Sequence, residues 1–188
     1  MHPSALAFAM VALGEAEVAG KTVIEAGALD VNGSARPHVE AFGPASYTGT
    51  DMRPGPRVDV VCDAADLPVR FGPETADVVV CTEMLEHAAS WRAAMNGLIG
   101  VLAPGGVLVL TTRGPGFPLH GYPEDHWRFT VAAMAAILVA ARLDVIACVP
   151  DTDPASPGVF AKAVKPEGWD RPWNLMKTWA AVQVEAVI

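Results

Sequence analysis

Short, unbroken apolar runs separated by helix-length segments recur along the chain, and they restrict its fold more than any other feature. TVIEA at 22–26, ADVVVCT at 76–82 and VLVLTT at 107–112 do not alternate apolar with polar residues, as strands with one wet face do. They read as strands buried on both faces. SYTGT at 46–50 and VDVVC at 58–62 add two more, and 143–149 and 159–164 close the series. Helical segments fall between them. Ser4 caps an Ala-rich stretch to Ala19, a short imperfect helix over 35–42 is interrupted by Pro37, and a long one over 83–102 stops at Pro104-Gly105-Gly106. Thr130 caps the last, over 131–142. Strands alternating with helices predict an α/β fold, a doubly wound and mostly parallel sheet with helices on both faces.

In such a sheet, ligands bind beyond the C-terminal ends of the strands, and the residues at those ends are unusual. Glu25 stands at the end of the first strand, and Gly27 follows, where the absence of a Cβ lets a ligand approach the backbone. Asp30, Asn32 and Gly33 make a second turn. Asp51 ends the second strand, in the usual place of an acid that receives ribose hydroxyls, with Met52 beside it as an apolar contact for a base. Asp63-Ala64 ends the third, near where the base's exocyclic amine would lie, and Thr82-Glu83 ends the fourth. One strand-end acid is an ordinary cap or turn former. A row of them beside a glycine turn is a site, and one that repels a pyrophosphate while suiting a cation or paired hydroxyls.

Charge narrows the partners. Thirteen basic residues against 21 acidic ones give a net charge of −8, and the basic residues are scattered singly, so nucleic acid is not the expected partner. Cys62, Cys81 and Cys148 lie inside apolar runs without CxxC spacing, which predicts buried thiols in a reducing compartment. With no basic n-region at the start and no apolar run long enough to span a bilayer, a cytoplasmic protein of one domain, 1–188, is expected. Its 1–20 segment would be an N-terminal helix and its 165–188 segment a helical tail.

The runs VIEAGALDVNGS, YTGTDMRPGPRVDVVCDAADLP, ADVVVCTEMLEH and LAPGGVLVLTT, in this order and spacing, resemble the class I S-adenosylmethionine-dependent methyltransferases. The likeness is greatest to the small-molecule branch that includes the ubiquinone and menaquinone biosynthesis type enzymes. The resemblance implies a Rossmann-like seven-stranded sheet whose last strand is antiparallel, with the cofactor, S-adenosyl-L-methionine, across its C-terminal edge. It also implies that Glu25, Ala26 and Gly27, with Asn32 and Gly33, form the first cofactor-binding turn. Asp51 and Met52 would hold the ribose and adenine, Asp63 and Ala64 the adenine, and Thr82 and Glu83 the motif after the fourth strand. Leu29 departs from the family's glycine pattern, standing where its second glycine would be.

Methyl transfer to an OH or NH requires a proton acceptor. Glu83, Glu86 and His87 would share a face of the helix predicted over 83–102, and His87 is one catalytic candidate. The Gly/Pro/aromatic loop GPGFPLHGYPEDHWRFT at 114–130 follows the fifth strand on the same edge and offers His120, with Tyr122 and His126 as the other catalytic candidates. Trp127 and Phe129 would pin this loop to the core, with Arg128 paired to a strand-end acid. Histidines without a third ligand at helical or turn spacing predict no metal site. In the tail, Trp173, Met176, Ala180, Val184 and Val187 fall at helical spacing and offer core packing or a homodimer face.

The function expected is therefore methyl transfer to a small-molecule acceptor. A methyltransferase-like scaffold without turnover is one alternative. An NAD(P)-dependent Rossmann oxidoreductase is another, which the missing GxGxxG and the absent Tyr-x-x-x-Lys pair disfavour.

Overall fold

The computed structural model describes residues 1–121, 124–170 and 175–187. Its frame is a seven-stranded sheet of order β3-β2-β1-β4-β5-β8-β7. In chain order, α1 (Pro3–Ala12) and α2 (Glu15–Val18) lead into β1 (Thr22–Ala26), followed by α3 (Arg36–Glu40), β2 (Ser46–Asp51) and β3 (Val60–Val61). α4 (Leu67–Phe71), β4 (Ala76–Thr82), α5 (Trp91–Val101) and β5 (Leu102–Arg113) come next. After β6 (Trp127–Arg128) and α6 (Val131–Ala140), β7 (Asp144–Pro150) and β8 (Gly158–Val164) complete the sheet. A short α7 (Leu175–Thr178) precedes β9 (Glu185–Ala186).

β1 to β5 pair in parallel, whereas β8, the last strand of the large sheet in the chain, runs antiparallel between β5 and β7. The unbroken apolar runs are explained by two cores. Ile24, Val79, Cys81, Leu108 and Leu110 point to one face, under α5 and α6. Val23, Val78, Val80, Val107 and Val109 point to the other, against Leu13, Val18 and Val39 of the N-terminal half. Each fully buried Leu, Ile or Val contributes roughly 1.5–3 kcal/mol, so the central strands can give up solvent on both sides.

Local readings differ from the observed elements where turn chemistry intervenes. The Ala-rich N-terminal stretch is two helices, broken at Leu13-Gly14, and His2 rather than Ser4 is the first cap. Pro37 opens α3 instead of interrupting it. The third strand shrinks to two residues. The helix predicted over 83–102 starts at Trp91, capped by Ser90, whose hydroxyl accepts from the Ala93 amide. Glu83 cannot begin a helix because its φ is +55°, and residues 85–87 form a single 3-10 turn.

The tail is not a long helix. One α-helical turn and a 3-10 turn give way to β9, which pairs antiparallel with β6. The helical spacing that suggested a dimer face is therefore not realised, and Trp173 lies outside the described residues. Cys81 is buried as expected, but Cys62 and Cys148 are only half-buried. Among the described residues, no helix is long and apolar enough to cross a membrane.

Candidate functional site

The parallel strands carry their C-terminal ends to one edge, where a cavity of about 840 Å³ opens. The first turn forms its floor. Gly27 has a φ of +80°, and a Cβ there would meet Met84 Cβ at 2.5 Å, so glycine is required both by the backbone and by the β4 turn packed on it. The Gly27 and Ala28 amides both donate to the Thr50 carbonyl at 2.9 Å, which locks this turn to the end of β2. Asp30 accepts from the Gly33 amide at 2.9 Å and from Arg57 at 3.0 Å. The turn thus closes without the glycine that Leu29 replaces.

The strand-end acids converge on this cavity in different states. Glu25 lines it yet is 1% exposed, and Tyr47 donates its hydroxyl proton to Oε2 at 2.8 Å. Burial raises its pKa to about 7, against the Tyr47 hydrogen bond and the Arg36 and Arg57 charges, which lower it. The acid read there from the sequence is a carboxyl balanced between its two forms near neutrality. Asp51 accepts from the Arg53 amide at 3.0 Å, and Asp63 caps a 3-10 turn by accepting from the Ala65 amide at 2.9 Å. Each has a second oxygen beyond these bonds, and both line the cavity beside Met52, which is 64% exposed.

Glu83 holds its left-handed backbone because its surroundings fix it. Its amide donates to the Thr111 carbonyl at 3.0 Å, and its carboxylate accepts from the Nε of the fully buried Arg113 at 2.6 Å. Arg113 also reaches Asp151 at 3.1 Å, tying β5 to the end of β7. The strand-end acid therefore pairs with Arg113, and Arg128 pairs within its own loop, to Asp125 at 2.6 Å. Of the cofactor-binding residues expected, Gly27, Asn32, Gly33, Ala64 and Thr82 also line the cavity. Ala26 does not: its side chain is buried in the core under α5.

The far wall is built from the 3-10 turn after β4 and the loop after β5. His87 donates from Nδ1 to the Glu124 carbonyl at 2.6 Å, and burial depresses its pKa despite that bond. His126 Nε2 lies 3.0 Å from Glu124 Oε2, and its amide donates to the Glu86 carbonyl at 2.8 Å. Both rings line the cavity with Phe117 and His120. Tyr122 lies outside the described residues. Trp127 donates from its indole to the Ala88 carbonyl at 2.7 Å, and Phe129 is fully buried against Trp91, so these two do pin the loop.

Sequence reasoning missed Met1, His2 and Pro3, which close one side of the cavity, because nothing in a terminal segment marks where it packs. It also missed Leu29 and Arg53, although Leu29 is adjacent to the turn and could have been found by asking what covers a glycine.

Residues 29–110 match a family model described as a methyltransferase domain. The match ends within β5 and leaves the 114–130 loop outside it. No curated protein matches the chain. Among solved structures, the chain is similar to the Burkholderia thailandensis 1,6-didemethyltoxoflavin-N1-methyltransferase with bound 1,6-didemethyltoxoflavin and S-adenosylhomocysteine. That pair share 18% identity over 86% of this chain and 78% of that one, with a TM-score of 0.67. A chain in the complex between the Haloferax volcanii Trm112 methyltransferase activator and a methyltransferase gives 17%, 90%, 92% and 0.67 on the same measures. The Synechocystis magnesium protoporphyrin IX methyltransferase with bound SAM gives 16%, 86%, 76% and 0.61. At these identities the likeness is one of fold.

Proposed function

We propose that this chain, whose residues 29–110 match a methyltransferase domain model, is a class I S-adenosylmethionine-dependent enzyme that transfers the methyl group of S-adenosyl-L-methionine to a small-molecule acceptor. The observation that carries the reading is the row of acids around one cavity, Glu25, Asp51, Asp63 and Glu83, beside a turn without a phosphate-binding glycine loop. The donor set suits the cofactor: carboxylates for a cation and for hydroxyls, and a glycine where backbone must come close. When bound, the cofactor supplies an electrophilic methyl carbon on a positively charged sulfur.

The chain's own residues then have distinct tasks. Asp51, through the oxygen not used by Arg53, receives ribose hydroxyls, and Asp63 and Met52 border the adenine. Glu25 and the Gly27 turn face the charged end. The acceptor enters against the wall of Phe117, His87 and His126. His87 keeps its proton on Nδ1, toward Glu124, and burial favours the neutral ring, so its Nε2 can accept a proton. His126, held by Glu124, is a second acceptor of the same kind. The cavity's enclosure by the loop and by Met1 to Pro3 supports a small acceptor, and the net charge of −8 argues against nucleic acid. The free thiols support work in the cytoplasm.

The test is a thermal-shift series with S-adenosylmethionine, S-adenosylhomocysteine, NAD and NADP. The first two should each stabilise the chain, by about 2.7 kcal/mol at a hundred times Kd, and the nicotinamide cofactors should not. Asp51→Ala should weaken the interaction by roughly 1–3 kcal/mol, the cost of an unmet hydrogen-bonding partner. A shift with NAD or NADP alone would overturn the reading, and unchanged affinity in Asp51→Ala would remove the ribose from Asp51.

A further inference from the structure

The far wall contains more polar organisation than proton removal needs. Glu86 is fully buried, and although Oε2 accepts from the Thr112 hydroxyl at 2.8 Å, Oε1 has no hydrogen-bond partner. An orphaned carboxyl oxygen in the interior is costly. One ligand atom from each of Glu86, His87 and His120 lies within 4.8 Å of the others.

The two rings are already oriented. His87 donates from Nδ1 to the Glu124 carbonyl, and His120 Nδ1 lies 3.0 Å from Asp125, whose carboxylate also accepts from the His120 amide. Asp125 is itself gripped by Arg128, which is 2% exposed and also donates to the Phe117 and Pro118 carbonyls. With Arg128 on both of its oxygens, the Asp125 carboxylate is placed to accept the His120 proton on Nδ1. Both Nε2 lone pairs are left free of that bonding. Imidazoles tied by their other nitrogen to a carbonyl and a carboxylate are the arrangement found around metal-bound histidines.

We propose that Glu86, His87 and His120 form a site for a divalent first-row transition ion, with zinc the best match to two imidazoles and a carboxylate. Bonds of about 2.0–2.2 Å require the three atoms to draw together, and His120, on a loop and partly exposed, can supply that travel. Three protein ligands leave a fourth position open. Since His87 and His120 line the cavity while Glu86 lies outside its lining, that position faces whatever the cavity admits. Its positive charge would also answer the buried Glu86 and the nearby Glu83. The site is independent of the methyl-transfer reading. With an ion bound, His87 is a ligand and proton removal rests with His126.

The sequence spacing offered no third ligand for the histidines; the fold brings the 114–130 loop onto the turn that carries Glu86. The test uses the full chain, stripped with a chelator and dialysed. Cobalt uptake is followed by visible absorbance, and zinc uptake by calorimetry. One ion per chain is expected, with affinity lowered about tenfold or more in His120→Gln and in Glu86→Gln, and about 10- to 100-fold in Asp125→Asn. His38→Gln, on α3 and outside the cavity lining, should bind as the unsubstituted chain does. Circular dichroism checks folding; if Glu86→Gln fails to fold, the comparison rests on the partly exposed His120. No uptake, or uptake that His120→Gln leaves unchanged, overturns the site, as does an equal loss in His38→Gln.

Discussion

Glu25 joins the stability of the chain to one proton at the cavity. Its ordinary pKa of 4.5 rises to about 7 on folding, chiefly because burial disfavours the charge. Between those values the folded chain keeps a proton that the unfolded chain has lost, so the stability of the ligand-free protein falls as pH rises through that interval. Glu86 is shifted the same way by burial and by Glu83, and adds to the slope. Glu25→Gln should flatten the decline without abolishing it, measured as the difference in Tm between about pH 5 and about pH 7. An unchanged slope would assign the effect elsewhere. This position also shows where sequence reading stopped: an acid at the end of β1 was legible from IEAG, but its raised pKa comes from burial and is restrained by the Tyr47 hydrogen bond. Neither is written in the local pattern.

The strands were largely visible in the primary structure, because residues buried on both faces leave continuous runs that little else produces. Ala76–Thr82 emerges with the boundaries expected. The turn after it was less legible, since a left-handed Glu83 has no compositional mark and Glu-rich sequence invites a helix. Only Ser90, a good cap one residue before Trp91, could have signalled the true start. The cap on α6 was legible, and Thr130 accepts from the Ala133 amide at 3.0 Å. Thr130→Ala should cost about 1 kcal/mol of stability, read from the urea midpoint. A change indistinguishable from zero would mean that water or a neighbour replaces the hydroxyl.

The tail and the sheet depend on each other across the chain's length. Trp179 is fully buried, donates its indole proton to the Ile137 carbonyl at 2.9 Å and packs 5.8 Å from Trp91. A tryptophan from the last tenth of the sequence thus completes the core between α5 and α6, an arrangement that helical periodicity in the tail could not reveal. Trp179→Ala should destabilise by about 3–5 kcal/mol, seen as a lower denaturant midpoint. Because Trp179 is not part of the cavity wall, the folded fraction should bind S-adenosylhomocysteine with unchanged affinity. A matching loss of affinity would mean that the tail shapes the site.

The hydroxyl of Tyr47 resting on Glu25 has a practical consequence. The chain contains two tyrosines, so biosynthetic incorporation of fluorotyrosine would yield a fluorine spectrum of two resonances. The one from Tyr47 sits against the carboxyl that changes charge near neutrality, and would drift with pH as that proton leaves. It would move again when a molecule settles above the floor. The fold carries its own spectroscopic probe, hydrogen-bonded to a carboxyl that lines the cavity.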